Sequence, residues 1–330
     1  MKKIAIIMGG YTEESIISLK SGKVVYENLN REEFDPYQIY IFRDKWFLIG
    51  EKKKEYSINK QDFTIFLKKS NQILKFDCVF NAIHGTPGED GILPAYFHLL
   101  KIPYTGCNFH QANVTFNKKY CLTLLKEFGI NTAVSFFLNK NQPFCEKKMI
   151  KKIGLPCFVK PNRSGSSLGI SKVYKKEELF PAIKKAFKKD DEIIIESFLK
   201  GIEISVGVIS FNHEITVLPI TEIISKNDFF DFESKYYEGS QEITPARLLP
   251  NIENKIQKLV KKICKILNLS GISRSEFILV NGEPFFLEIN TVPGLSKKSI
   301  FPKQLNVAGI PLSNLFKKLI DFSIKNSKNL

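Results

Sequence analysis

Apolar positions along the first hundred residues fall into short unbroken runs separated by amphipathic stretches. Ile4 to Met8, Tyr37 to Ile41 and Cys78 to Ile83 read as buried strands, Ser18 to Leu29 reads as a helix, and Asp62 to Lys69 reads as a further helix. Strands alternating with helices at this spacing predict a small parallel-sheet α/β domain, closed by Pro103-Tyr104-Thr105-Gly106. A second segment opens with a helix from Asn117 through Phe128. It continues through strand-like Leu155 to Lys160, a Gly/Ser loop, strand-like Ile170 to Val173, a helix from Glu177 to Lys188 and a strand from Glu192 to Glu196. From about residue 197 the pattern is richer in strands, with Glu203 to Ser210 and Thr216 to Pro219. Ile252 to Leu267 is helical, and Pro311 to Leu330 reads as one amphipathic helix. The expected division is therefore 1–106, 107–196 and 197–330.

Between those last two helices lie two runs with acids in them. Glu276 sits in one, Glu288 and Asn290 in the other, and Asn281-Gly282-Glu283 between them reads as a hairpin turn. Side chains alternate along a strand, so Glu288 and Asn290 share a face. Pairing the runs would gather two carboxylates and an amide oxygen, the hard donor set that Mg²⁺ prefers beside nucleotide phosphates. A plain ribbon with solvated acids reads equally well from this segment alone.

Composition narrows the partners. Hydrophobic content of 43% and charged content of 25% over 330 residues are ordinary for a globular protein, and no apolar run approaches a membrane span. The opening Met1-Lys2-Lys3 and its short apolar run end at Gly9-Gly10, too soon for a signal peptide, so a cytoplasmic protein is expected. Six cysteines with no C-x-x-C pair read as reduced, mostly buried thiols. The net charge of +15 is nearly all lysine; arginine occurs only at Arg31, Arg43, Arg163, Arg247 and Arg274. Dispersed Lys-Lys pairs suit solvated helix faces, and no nucleic-acid module accompanies them, so neither a nucleic-acid nor a membrane partner is expected.

Three further stretches carry candidate chemistry. Asn162-Arg163-Ser164-Gly165-Ser166-Ser167-Leu168-Gly169 follows a strand ending in Lys160-Pro161; small residues with hydroxyls and free N–H groups can approach phosphates. It is neither a Walker A loop nor a dinucleotide fingerprint, and alone it is more often a surface turn. The strand Glu192 to Glu196 ends in an acid that could accept from an adenine amine, or simply be solvated. His84, ahead of Gly85-Thr86-Pro87-Gly88-Glu89-Asp90-Gly91, sits where ligands collect at the ends of α/β strands; a turn-stabilising histidine is the alternative.

Taken together, Gly9-Gly10, Ser18-Leu19-Lys20-Ser21-Gly22, the His84 loop, Lys118, Lys160 with its Gly/Ser loop, Lys235-Tyr236, Arg274 and Glu288-Ile289-Asn290 occur in the order seen in D-alanine–D-alanine ligases. The chain resembles that family, of the ATP-grasp superfamily, from about residue 4 to residue 320. The resemblance implies an ATP-grasp fold behind an N-terminal Rossmann-like domain. It implies ATP as co-substrate, two Mg²⁺ ions (or Mn²⁺) and a homodimer. The reaction would join two D-alanines through an acyl phosphate, for peptidoglycan precursors.

By that resemblance Lys118, Lys160, Ser166, Ser167, Glu196, Leu199, Glu203 and Lys235 contact ATP, and Glu276, Glu288 and Asn290 hold the metals. Glu276 stands where aspartate is common, and Ser197 where lysine often follows Glu196. Arg274 and the Gly294 N–H donate to the developing oxyanion. Ser299, Ile300 and Lys235 receive the second substrate, and His84 and Tyr236 complete the site with Ser166. Tyr236 favours the D-alanine dipeptide over D-alanyl-D-lactate. D-lactate or D-serine as second substrate, and an ATP-binding relative without catalysis, are the alternatives. The family glutamate expected two residues before Ser18 is replaced by Ile16; Glu14 is expected to substitute if residues 12–16 are extended.

Overall fold

The computed structural model describes residues 1–50, 54–67, 70–212, 214–225 and 240–327. β1 (Lys2–Gly9) runs parallel to β2 (Phe34–Ile41) on one side and β7 (Cys78–Asn81) on the other. Its alternate residues feed two cores. Ile4, Ile6 and Met8 face α1 (Ser15–Asn28), while Ala5 and Ile7 face α2 (Ile92–Leu99). A strand covered on both faces must be apolar throughout, which is why the run Ile4 to Met8 does not alternate.

The expected parallel sheet is only the inner part of this layer. Beyond β2 the sheet continues as an antiparallel meander, β3 (Trp46–Ile49), β4 (Glu55–Asn59), β5 (Thr64–Leu67) and β6 (Gln72–Leu74). The helix expected over Asp62 to Lys69 is therefore wrong: its described part is β5. The Asp62 carboxylate accepts the Thr64 N–H, Phe63 turns to a φ of 55°, and Ile65 pairs with Ile58 and Leu74. That local turn uses the N–H a helix would need, and cross-strand packing does the rest.

α3 (Phe109–Phe116) and α4 (Lys118–Glu127) lead to a second sheet of strand order β10-β9-β11-β8: β8 (Ser135–Asn139), β9 (Cys157–Pro161), β10 (Ser171–Val173) and β11 (Glu192–Ser197). α5 (Glu146–Ile153) and α6 (Leu179–Ala186) cover it through Met149, Leu179 and Ile183. A third sheet holds β12 (Ile202–Phe211), β13 (Glu214–Val217), β14 (Thr221–Ser225), β15 (Ser240–Ile243), β16 (Gly271–Val280) and β17 (Glu283–Asn290). α7 (Pro250–Ile266) packs Ile256, Val260 and Ile263 beneath it.

The chain then returns. α8 (Ile300–Val307) buries Phe301 and Leu305, and α9 (Leu312–Asn326) lays Phe316 edge-on against Phe80 of β7, centroids 5.3 Å apart. N- and C-terminal segments thus share one core. All six cysteines are free; five are buried, and Cys145 is exposed.

Candidate active site

The acidic hairpin folds as its sequence suggests. Asn281 and Gly282 both take positive φ (51° and 80°), the geometry of a tight two-residue turn between β16 and β17. The register sets Glu276 opposite Glu288 and Arg274 opposite Asn290, all on one face, with a bulge after Glu276. Two carboxylates so opposed repel, and cations flank them. Arg274 lies 2.9 Å from Glu276, and Lys118 lies 3.1 Å from Glu288.

Lys118 opens α4, whose N-cap Asn117 accepts the Tyr120 N–H. Its ammonium donates to the Ser164 carbonyl at 2.7 Å, so a single cation joins the Gly/Ser loop to the hairpin. On the second sheet, Lys160 of β9 meets Glu196 of β11 at 2.7 Å. Burial opposes the Lys160 charge, but Glu196, helped by Glu288 and Glu203, holds the pKa above the ordinary lysine value. Glu203 begins β12 close enough to favour the same charge, and Leu199 lies half-buried just beyond β11. Ser197, where a lysine was the usual residue, accepts the Val134 N–H at 3.1 Å.

Residues 12–16 are not extended. Glu14 is the N-cap of α1 with helical φ and ψ (−74°, −5°), so it and Ile16 do not share a face. Ile16 is 63% exposed, whereas Glu14 is 6% exposed and aims inward. There it accepts from Ser166 Oγ at 2.6 Å, linking α1 to the Gly/Ser loop, where Ser166 and Ser167 both take positive φ. Glu14 thus stands at a helix cap, which the extended reading of residues 12–16 does not provide.

Two further buried groups lie beside these residues. Glu89 is buried and accepts the Gly85 N–H at 3.0 Å. Burial first, then the nearby Glu14 charge, push its pKa up to about 8, against that hydrogen bond. Ser21, on the buried stripe of α1, contacts His84 Nε2 at 3.0 Å and accepts the Leu295 N–H at 3.1 Å. Burial pushes the His84 pKa down to about 4, against a bond to the Val292 backbone.

At the far end of the cleft Gly294 lies against Ser299; a methyl on it would stand 2.7 Å from Ser299 Oγ. Ser299 caps α8 and shares a 2.8 Å hydrogen bond with Ser296, and Ile300 is buried behind it. Lys235 and Tyr236 lie outside the described residues.

The profile described as "D-ala D-ala ligase N-terminus" matches residues 3–107, and "D-ala D-ala ligase C-terminus" matches residues 124–321. The chain belongs to the D-alanine–D-alanine ligase family. A D-alanine--D-alanine ligase of Flavobacterium johnsoniae is 51% identical over 98% of this chain and 100% of its own. Among solved structures, the VanG D-Ala:D-Ser ligase from Enterococcus faecalis is 33% identical with a TM-score of 0.84, over 98% and 99% of the two chains. The Bacillus anthracis D-alanine--D-alanine ligase complexed with ATP is 26% identical with a TM-score of 0.79, over 100% and 99%. The ligase family has the ATP-grasp fold, and its nucleotide is ATP. Among the described residues no helix is long and apolar enough to cross a membrane.

Proposed function

We propose that this chain joins two D-alanines at the expense of ATP, giving D-alanyl-D-alanine, ADP and phosphate. The observation that carries the reading is one chain of contacts, from Glu14–Ser166 through the Ser164 carbonyl and Lys118 to the Arg274/Glu276/Glu288/Asn290 face. The three sheets are read as three units, divided near residues 106 and 196, with ATP between the second and third.

A carboxylate oxygen of the first D-alanine attacks the γ-phosphorus and ADP leaves, giving an acyl phosphate. The second D-alanine's amine, its proton lost, attacks the acyl carbon; phosphate then departs from the tetrahedral intermediate. No protein nucleophile is needed, so the residues act by positioning and charge. Glu14 receives the first ammonium. Lys118 and Lys160 face the phosphates and Glu196 the adenine. Arg274 and the Gly294 N–H donate to the oxyanion, and the α8 N-terminus with Ser299 and Ile300 receives the second carboxylate. Ser166 and Ser167 close the loop against water, which would hydrolyse the acyl phosphate. Lys235 and Tyr236 are assigned to the second substrate's side.

The donor chemistry of Glu276, Glu288 and Asn290 fits Mg²⁺, all hard oxygens on one strand face beside a lysine that holds Glu288. Bound there, two Mg²⁺ ions would neutralise phosphate charge during transfer. A homodimer and a cytoplasmic location complete the reading.

The test is phosphate release from ATP and Mg²⁺ with D-alanine, D-lactate, D-serine or L-alanine, with products identified by mass. Dipeptide formed only with D-alanine supports the assignment. The likeness to a D-Ala:D-Ser ligase makes D-serine the second reading; a mixed D-alanyl-D-serine product would select it.

A further inference from the structure

The Ser18-Leu19-Lys20-Ser21-Gly22 segment puts three small residues on one helix face, and each has a separate partner. Ser18 Oγ accepts the Gly9 N–H at 3.0 Å and donates to the Ala82 carbonyl at 2.7 Å, tying the ends of β1 and β7. Gly22 lets α1 settle onto β1, since a methyl there would stand 2.7 Å from Met8 Cε. Ser21 is thereby set deep, fully buried between His84 and the turn after β17.

The contacts at Ser21 fit a hydroxyl that both accepts and donates. Leu295 N–H donates to Ser21 Oγ, so the hydroxyl hydrogen is free to point at His84 Nε2. Among the causes acting on the His84 charge is the Val292 backbone, which favours a proton on the ring. A neutral imidazole has one N–H; carried on Nδ1, it leaves Nε2 to accept from Ser21. The chain of bonds runs from α1 through the His84 loop to residues 292 and 295, which bracket Gly294. Leu295 is itself buried beside Met8 and Phe301, which fixes the turn's other side.

We propose that Ser21 and His84 form a clasp that positions the 291–295 turn, and with it the Gly294 N–H, against the first-substrate side of the cleft. His84 is on this reading a positioning residue, and it contacts the turn in place of the substrate. The inference rests on the ligase reading for its kinetic consequence, though not for its geometry.

Two measurements on the full chain test it. Removing the hydroxyl in Ser21→Ala breaks two hydrogen bonds, so kcat for D-alanine-dependent phosphate release should fall about tenfold or more. The KM values for ATP and for the first D-alanine should stay within about twofold, because neither substrate loses a contact. The double variant Ser21→Ala/His84→Gln should be no slower than the slower single variant, since both act through one chain of bonds. A His84→Gln variant that raises the D-alanine KM, with losses that add to those of Ser21→Ala, would overturn the clasp and make His84 a substrate contact. Nitrogen-15 NMR of the substrate-free protein supplies the second readout and needs no turnover. The clasp requires His84 with Nδ1 protonated and Nε2 bare, and an Nε2 resonance that shifts in Ser21→Ala; an Nε2–H ring in the unmodified chain would overturn it. Wild-type protein that releases no phosphate would sink the ligase reading, and the NMR result would still decide the clasp.

Discussion

Ser166 donates to Glu14 at 2.6 Å, and the two residues stand 152 positions apart in the chain. The bond holds the Gly/Ser loop of the second sheet against α1, and a backbone without a side chain makes it possible. A methyl on Gly165 would stand 2.6 Å from Glu14 Oε1. Gly165→Ala is expected to displace the loop. Ser166→Ala removes a hydrogen bond to a carboxylate, a contact worth about 1.5–3 kcal/mol, so kcat/KM should fall about 10- to 100-fold. Steady-state phosphate release checks both, and activity within twofold of wild type would rule the contact out as functional.

Glu14→Gln keeps the shape and removes the charge. If Glu14 receives the first ammonium, the KM for the first D-alanine rises at least about tenfold while ATP affinity barely changes. Unchanged D-alanine affinity in initial-rate experiments would leave Glu14 as a loop anchor alone.

Glu288→Gln should raise the Mg²⁺ concentration needed for half-maximal activity, and chelation should abolish activity in both proteins. Titrating Mg²⁺ at saturating ATP distinguishes this from simple unfolding. In the variant Lys118 also loses its charged partner, so the ATP KM should shift as well.

Glu89 makes stability depend on pH in a definite direction. Its folded pKa, about 8, lies above the ordinary carboxylate value because burial and the Glu14 charge favour the neutral acid. Between roughly pH 4.5 and 8 the folded state therefore holds a proton that the unfolded state has lost. Its contribution to stability is present below that window and declines as pH rises through it. Thermal melts should show Glu89→Gln gaining on wild type from pH 5 to pH 8; parallel curves would contradict the assignment.

Phe316 joins the chain's two ends through Phe80. Phe316→Ala should cost about 3–5 kcal/mol by denaturant unfolding, through lost burial and the cavity left behind. A loss below about 1 kcal/mol would mean that α9 is dispensable to the shared core.

The hairpin was legible because its information is local. Asn281-Gly282 dictates the turn, and period-two alternation then places Glu276, Glu288 and Asn290 on one face. The antiparallel meander was not legible, since Asp62 to Lys69 carries no strong period, and Thr64–Leu67 within it becomes a strand through the pairing of Ile65 with Ile58 and Leu74. Glu14 shows the opposite error. The extended reading of residues 12–16 failed, because a helix cap and an extended segment direct the same side chain differently.

Sequence alone determined the inner parallel strands with their first helix, the acidic hairpin and the set of residues that resembles a ligase, because short-range periodicity and residue chemistry survive without a fold. Only the tertiary structure decided which of those residues meet. Glu14 reaches Ser166, Lys118 bridges Ser164 and Glu288, and Ser21 joins His84 to Leu295, across separations of up to 274 residues. Contacts of that range arise from the packing of whole sheets and helices against one another, and no local pattern encodes them.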